Sequence, residues 1–312
     1  MQAYDAIAAG RQGQVPADIA RLMRLATYAS VATASVLIVA KIVAYLLTDS
    51  VSMLSTLLDS LLDAAASLVN LVAVRHALTP ADREHRFGHG KAEALAGLGQ
   101  SAFIAGSALF LLFEASHRLV TPQPVENGMV GVAVMLFSMV VTVLLVLFQR
   151  HVIRRTQSVA ISADSLHYVG DVAVNLAVLA ALVLSSQLGW NRTDPIFAVG
   201  VAFYIVFTAW QIARGAFDML MDREMPDEDR ARIRTIALSN PRVRNLHDLR
   251  TRRSGPNRFI QMHLEMDGAM SLVEAHALAD EVEVAILREF PDAEVIIHED
   301  PEGVTEERPH FA

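Results

Sequence analysis

Residues 54–74 read LSTLLDSLLDAAASLVNLVAV, and from Val51 to Val74 every residue is apolar or small and uncharged except Asn70, Asp59 and Asp63. As a helix, a run of this length crosses the ~30 Å hydrocarbon core of a bilayer, which needs about 20 apolar residues. The two aspartates conflict with that placement: a carboxylate at mid-membrane costs about 2.5 to 3.5 kcal/mol on insertion scales. Spaced four apart, they share one helical face with Cβ atoms about 6 Å apart, so both carboxylates address one place. Interhelical hydrogen bonding accounts for one such residue; two ionisable groups on one face point to a cation site.

The chain around this stretch has the composition of a polytopic membrane protein. Of its 312 residues 53% are hydrophobic and 19% charged, and the mean hydropathy is +0.36, too apolar for an ordinary soluble domain. Six runs are long enough to span a bilayer: Leu25–Leu47, Val51–Val74, Ala94–His117, Gly128–Phe148, Val159–Leu184 and Ile196–Phe217. Arg11, Arg21 and Arg24 precede the first, Arg75, Arg83, Arg86 and Lys91 lie between the second and third, and Arg150, Arg154 and Arg155 lie between the fourth and fifth. The opposite loops offer only Arg118 and Arg192, so the positive-inside rule places both termini in the cytoplasm. Residues 1–24, with acids, a proline and no compact apolar core, read as a cytoplasmic tail rather than a signal peptide. Lys41, inside the first run, is expected to snorkel toward an interface.

The six-helix membrane domain thus covers 25–221, and residues 222–312 form a different body. The first 221 residues carry 14 Lys+Arg and 14 Asp+Glu, the remainder 12 and 20, so the net charge of −8 belongs to the last ninety or so residues. That balance, with no basic stripe, gives no reason to expect a nucleic-acid partner. PDEDRARIRTIALSN (226–240) opens as a helix does, and VRNLHDLRTRRSG and RFIQMHLEMDG alternate as the strands of a hairpin around GPN. SLVEAHALADEVEVAILREF has helical apolar spacing, and AEVIIHEDP closes as a strand. The order α-β-β-α-β predicts a small ferredoxin-like α+β module.

There are no cysteines, so any metal is held by His, Asp, Glu or backbone oxygens. The fifth run, ADSLHYVGDVAVNLAVLAAL, repeats the four-residue spacing with His167 and Asp171. The second and fifth runs are antiparallel, which sets Asp59 level with Asp171 and Asp63 with His167. Three carboxylates and one imidazole make a four-ligand set suited to tetrahedral Zn²⁺. Such ligands bind metal only when deprotonated, so protons and metal compete for them. A site that holds one or the other and faces the two sides alternately is an antiporter.

The short loop TPADREHRFGHGKAEALAG carries Asp82, His85 and His89 within eight residues, a pattern equally at home in a solvated charged loop. Lys91 and Glu93 beside it are ion-pair candidates at a helix start. The C-terminal module carries His247, His263, His276 and His298, three of them on predicted strands, with Asp300 on the same strand face as His298. These point to a second metal cluster. His76, His117, His151 and His310 have no partner at ligand spacing and read as interfacial or solvated.

DSLLD, PADREHRFGHGKAE, FQRHVIRRTQS, ADSLHYVGD, HDLRTRRSGPNRFIQMHLEM and IIHEDP together closely resemble the cation diffusion facilitator family, in particular its bacterial zinc and ferrous-iron efflux branch. The resemblance runs over nearly the whole chain. It implies a transport site of Asp59, Asp63, His167 and Asp171, a loop site of Asp82, His85 and His89, and a binuclear regulatory site of His247, His263, His276, His298 and Asp300. It further implies a homodimer in the bacterial inner membrane, joined largely through the C-terminal domain, with Lys91 and Asp222 in a charge interlock between protomers. Zn²⁺ is the expected cargo and regulatory ligand, with Fe²⁺, Cd²⁺ or Mn²⁺ as alternative substrates exchanged for protons. The long His-rich loop of many eukaryotic relatives is absent. The competing classes are a membrane metalloenzyme and a metal sensor. Four protein ligands leave no position for a catalytic water, no HExxH or G-x-S-x-G motif is present, and a sensor needs no intramembrane cluster.

Overall fold

The structure, a computed structural model, describes residues 15–48, 51–120, 129–188 and 193–304. Arg11, Arg192 and His310 lie outside the described residues, as do the side chains of His117 and Arg118. The chain divides into two compact units, one spanning Ala17–Leu220 and the other built on the residues from Met221 onward.

The first unit consists of six long helices: α1 (Ala17–Thr48), α2 (Val51–Ala77), α3 (Lys91–Val120), α4 (Met129–Thr156), α5 (Val159–Leu188) and α6 (Thr193–Leu220). Most run past the apolar stretches read from the sequence. Backbone hydrogen bonding continues until a local stop, so polar turns such as those holding Arg21, Arg24, Arg154 and Arg155 extend the helices beyond the hydrocarbon. The stop between α4 and α5 is Gln157, at φ 52. Ser158 follows it and restarts the helix, its Oγ accepting from the Ile161 N–H at 3.1 Å.

Among the described residues, five of these six helices are long and apolar enough to cross a membrane. The other is α5, which carries Asp164, His167 and Asp171. Helix α3 packs along α6, α1 along α2, and α5 against both α4 and α6. Ala26, Ala34, Ala108, Ala160, Ala163 and Ala209 are buried at these contacts; small residues let helices approach where no hydrophobic effect drives them together. A Cβ at Gly97 would lie 2.8 Å from Val159 Cγ1, so a side chain there would have to displace Val159 at the start of α5. Leu46, Phe113 and Trp210 are exposed, as a lipid-facing surface requires.

Lys41 does not simply snorkel. Its ammonium donates to the Thr56 carbonyl at 3.0 Å and to Ser60 Oγ at 2.6 Å, both on α2. A charge at this depth is held more cheaply by nearby oxygens than by an extended stem.

The second unit is the expected α-β-β-α-β module: α7 (Asp227–Ala237), β1 (Asn245–Ser254), β2 (Asn257–Met266), α8 (Leu272–Glu289) and β3 (Ala293–Pro301). The sheet order is β1-β2-β3, antiparallel then parallel. Gly255 at φ 59 makes the two-residue turn between β1 and β2. Ile260, Met262 and Leu264 alternate onto one face of β2 and join Ile233, Leu278, Val282 and Ile286 of the helices in a single core. A capping box starts α8: Ser271 Oγ accepts from Glu274 N–H while the Glu274 carboxylate returns to the Ser271 N–H. With both helices on one face, the alternate residues of the strands, His263 among them, are left on the other.

Candidate metal centre

On α2, Asp63 sits four residues after Asp59 and four before Ser67; on α5, His167 lies one turn before Asp171. His167 Nε2 lies 2.7 Å from Asp63 Oδ1 and 3.9 Å from Asp171 Oδ2. Zinc held tetrahedrally at 2.0–2.2 Å needs ligand atoms about 3.3 Å apart, and these two separations bracket that value. The Asp63, His167 and Asp171 ligand atoms all lie within 4.8 Å of one another. Asp59 is not part of this trio, but it lines the same cavity, about 700 Å³ in volume, with Phe103, Phe110 and Leu111 of α3. Asp59 stands one helical turn from Asp63 on this lining.

Beside the trio, four helices are tied together by a residue not singled out from the sequence. Asp164, 1% exposed, is a turn before His167. Its Oδ2 accepts from Ser30 Oγ at 2.5 Å and Gln149 Nε2 at 2.7 Å, and its Oδ1 from Ser67 Oγ at 3.3 Å and Gln100 Nε2 at 3.4 Å. Donors from α1, α2, α3 and α4 thus converge on one carboxylate of α5. The signal was available: Asp164 is as costly in lipid as Asp59, within a motif already singled out for His167 and Asp171.

In the loop between α2 and α3, Asp82, His85 and His89 come together with ligand atoms within 4.8 Å. His89 Nε2 is 3.3 Å from Asp82 Oδ2 and His85 Nδ1 3.4 Å from Asp82 Oδ1. Asp82 Oδ1 also accepts the backbone N–H groups of His85 at 2.6 Å and Glu84 at 2.9 Å. These, the His85 N–H first, hold the Asp82 carboxyl below the usual carboxylate range, ionised and ready to bind a cation. His76, read as solitary, has its ring centroid 4.5 Å from that of His89. The end of α2 and the loop fold back on one another, a proximity that spacing along the chain does not encode. His151 is exposed. Glu93 is buried and accepts a hydrogen bond from Ser158 Oγ, while Lys91 Nζ donates to the Leu220 carbonyl at 3.3 Å.

In the second unit three histidines form a row across the sheet, because His247 pairs with His263 and His263 with His298 in register. Neighbouring strands lie about 4.8 Å apart, which suits imidazoles converging on one ion. Asp300 Oδ2 is 2.7 Å from His263 Nδ1 and 3.3 Å from His247 Nε2, and its Oδ1 is 3.1 Å from His298 Nε2. The β1 register shifts between His247 and Arg250. There Asp248, at φ 47, turns its carboxylate to 3.9 Å from His263 Nε2. Asp248 and Glu265, whose Oε1 is 3.1 Å from His247 Nδ1, were not among the residues read from sequence. His276 is not drawn into this cluster. It sits in the first turns of α8, its side chain 69% exposed, 3.6 Å from Glu299 and 3.9 Å from Asp280. The apolar stripe of α8 must face the core, which leaves His276 on the outer side. Asp222 pairs with Arg252 at 3.1 Å.

Comparison with known proteins places these sites in context. The profile of the cation efflux transmembrane domain matches residues 27–221, and that of the cation efflux protein cytoplasmic domain matches residues 225–302. The cation-efflux pump FieF of Klebsiella pneumoniae is 54% identical over 284 residues, 91% of this chain and 94% of that protein. The protein of the same name from Citrobacter koseri is 52% identical over 281 residues, 90% and 93%. Among solved structures, the metal-bound C-terminal domain of the CzcD transporter from Thermotoga maritima is 35% identical and covers 26% of this chain and 100% of that one, with a TM-score of 0.25. With both units matched and more than half of the residues shared with its relatives across nearly its whole length, this chain belongs to the cation diffusion facilitator, or cation efflux, family.

Proposed function

We propose that the chain exports a divalent metal ion, Zn²⁺ foremost, from the cytoplasm in exchange for protons, as a homodimer in the bacterial inner membrane with both termini cytoplasmic. The observation that carries this reading is the meeting of Asp63, His167 and Asp171 on an intramembrane cavity that Asp59 also lines. The relatives' printed name, cation-efflux pump, supports the direction of transport. A mixed nitrogen and oxygen donor set suits Zn²⁺ and also admits Fe²⁺, Cd²⁺ or Mn²⁺.

Each ligand must shed its proton to bind metal, and crowded carboxylates without metal favour protons, so the two cargoes exclude one another. With the termini cytoplasmic, α5 runs outward from Val159, so the Asp164 cluster lies on the inner side of the trio and closes that side. Transport then alternates this arrangement with one in which the inner side parts. The work is carriage and not catalysis: Asp59, closing on the ion as the fourth ligand, takes the position a reacting water needs. Asp82, His85 and His89 form a loop site near the membrane surface. His247, His263, His298 and Asp300, joined by His276 when metal binds, form a binuclear regulatory site in the dimerising module. Lys91 and Asp222 serve as a charge interlock between protomers.

The test is metal-dependent proton flux in liposomes. Purified protein under a pH gradient is expected to move Zn²⁺ and protons in opposite directions. Metal binding with neither flux removes the antiport reading. The donor set makes a selectivity prediction as well. His167→Asp replaces imidazole by oxygen and is expected to raise Mn²⁺ transport relative to Zn²⁺ by about tenfold, on the scale of one ligand's contribution. An unaltered metal preference, measured by competition in the same liposomes, counts against His167 as the selective ligand.

A further inference from the structure

Three ligands leave one corner of a zinc tetrahedron to water or to a fourth protein donor. In the loop between α2 and α3, Asp82, His85 and His89 are such a trio. Their orientation is already prepared. His89 Nδ1 lies 3.4 Å from the Thr79 carbonyl, so an N–H there leaves Nε2 free to face Asp82 and an ion. A metal-ligating histidine is characteristically oriented by such a bond at its other nitrogen. Gly88, at φ 75, reverses the chain so that His89 returns beside His85, ring centroids 4.6 Å apart.

Beside His89 stands His76, in the last turn of α2, its ring centroid 4.5 Å away and inclined by 60°. His76 is exposed, so its ring can rotate about χ1 without disturbing the core. It is anchored where its main chain belongs to the same turn, the Thr79 N–H bonding to the His76 carbonyl at 2.9 Å. The His76 nitrogens stand outside the 4.8 Å trio, which fixes what metal must change: one side-chain rotation. We infer that His76 is the fourth ligand of the loop site, making it a closed His₃Asp centre for a zinc-like ion, tied to the end of α2. The inference rests on reading this loop as a metal site.

A closed centre behaves differently from a three-ligand one. It excludes water, holds its ion more tightly, and ties the loop to the helix that carries Asp59 and Asp63. Occupancy of the loop then restrains the inner end of α2.

Cobalt(II) is the probe, because its visible d–d bands are intense in tetrahedral sites and weak in higher coordination, and no thiolate is present to confuse them. The full-length protein carrying Asp63→Ala and His263→Ala, which silence the other two clusters, is titrated with Co²⁺. Adding His76→Ala is expected to weaken Co²⁺ binding about 10- to 100-fold, at least the range for loss of a residue that only supports a ligand, and to bleach the tetrahedral bands. Adding Asp82→Ala instead is expected to abolish loop binding. Unchanged affinity and spectrum with His76→Ala, while Asp82→Ala removes binding, overturns the fourth-ligand assignment and leaves the loop site standing. No change with either variant overturns the loop site itself. His76→Gln, which keeps bulk and polarity without a comparable donor, guards against a packing effect: full rescue by glutamine also overturns the assignment.

Discussion

Replacing Asp63 with alanine is expected to abolish metal transport, lowering the rate in liposomes by about 100-fold or more, while the cytoplasmic cluster still binds Zn²⁺. Asp63 Oδ1 is the closest partner of His167 Nε2, at 2.7 Å. Loss of a residue that merely orients a ligand costs about 10- to 100-fold in metal affinity, and loss of a ligand costs at least as much. The remaining Asp171 is 3.9 Å from His167, too few donors to repay dehydration of the ion. The variant is not expected to unfold, because Asp63 lines a cavity and bears no weight in the packed interior. Uptake unchanged in Asp63→Ala removes the site assignment. Loss of cytoplasmic Zn²⁺ binding along with transport shows that the effect was global.

Asp164→Ala is expected to act on the bundle itself, lowering its stability by about 3 kcal/mol. Four neutral donors from four helices converge on this carboxylate, and a buried donor left unsatisfied costs about 1–3 kcal/mol. Not all are orphaned: Gln149 Nε2 also reaches Ser30 Oγ at 2.9 Å, and Ser67 Oγ meets the Tyr168 hydroxyl at 2.9 Å. The cost therefore falls chiefly on Gln100 and on the lost charge-assisted bonds. Asp164→Asn keeps one acceptor oxygen and is expected to cost less than half as much. Thermal unfolding in detergent measures both. Equal melting temperatures for wild type and Asp164→Ala show that the network holds nothing together.

Much of the molecule was legible because its constraints are local. Twenty-residue apolar runs, arginines on one side, and the change of composition near Asp222 mark the membrane helices and the module behind them without any knowledge of contacts. Pairs at i and i+4, Asp59 with Asp63 and His167 with Asp171, declare a face of a helix. The antiparallel course of α2 and α5 then sets Asp63 against His167, as the 2.7 Å contact has it.

Asp164 and Asp248 were missed, and the neighbours of His76 and His276 were out of reach, for a different reason. Asp164 is defined by Ser30, Ser67, Gln100 and Gln149, residues unremarkable in sequence and drawn from four helices. His76 meets His89 only because the loop folds back, and Asp248 reaches His263 only because a bulge turns it. His276 shares its module with the other histidines, but its helix must spend its inner face on the apolar core. Lys41 was placed by a general tendency where α2 supplied particular oxygens. Local periodicity and charge bias, set by water, bilayer and backbone geometry, determined from the sequence alone that this is a six-helix membrane protein with a small α+β module and acids on its apolar helices. Which side chains share one point in space depended on helix packing, strand register and loop reversal, and these are settled only when the whole chain satisfies its buried polar groups together.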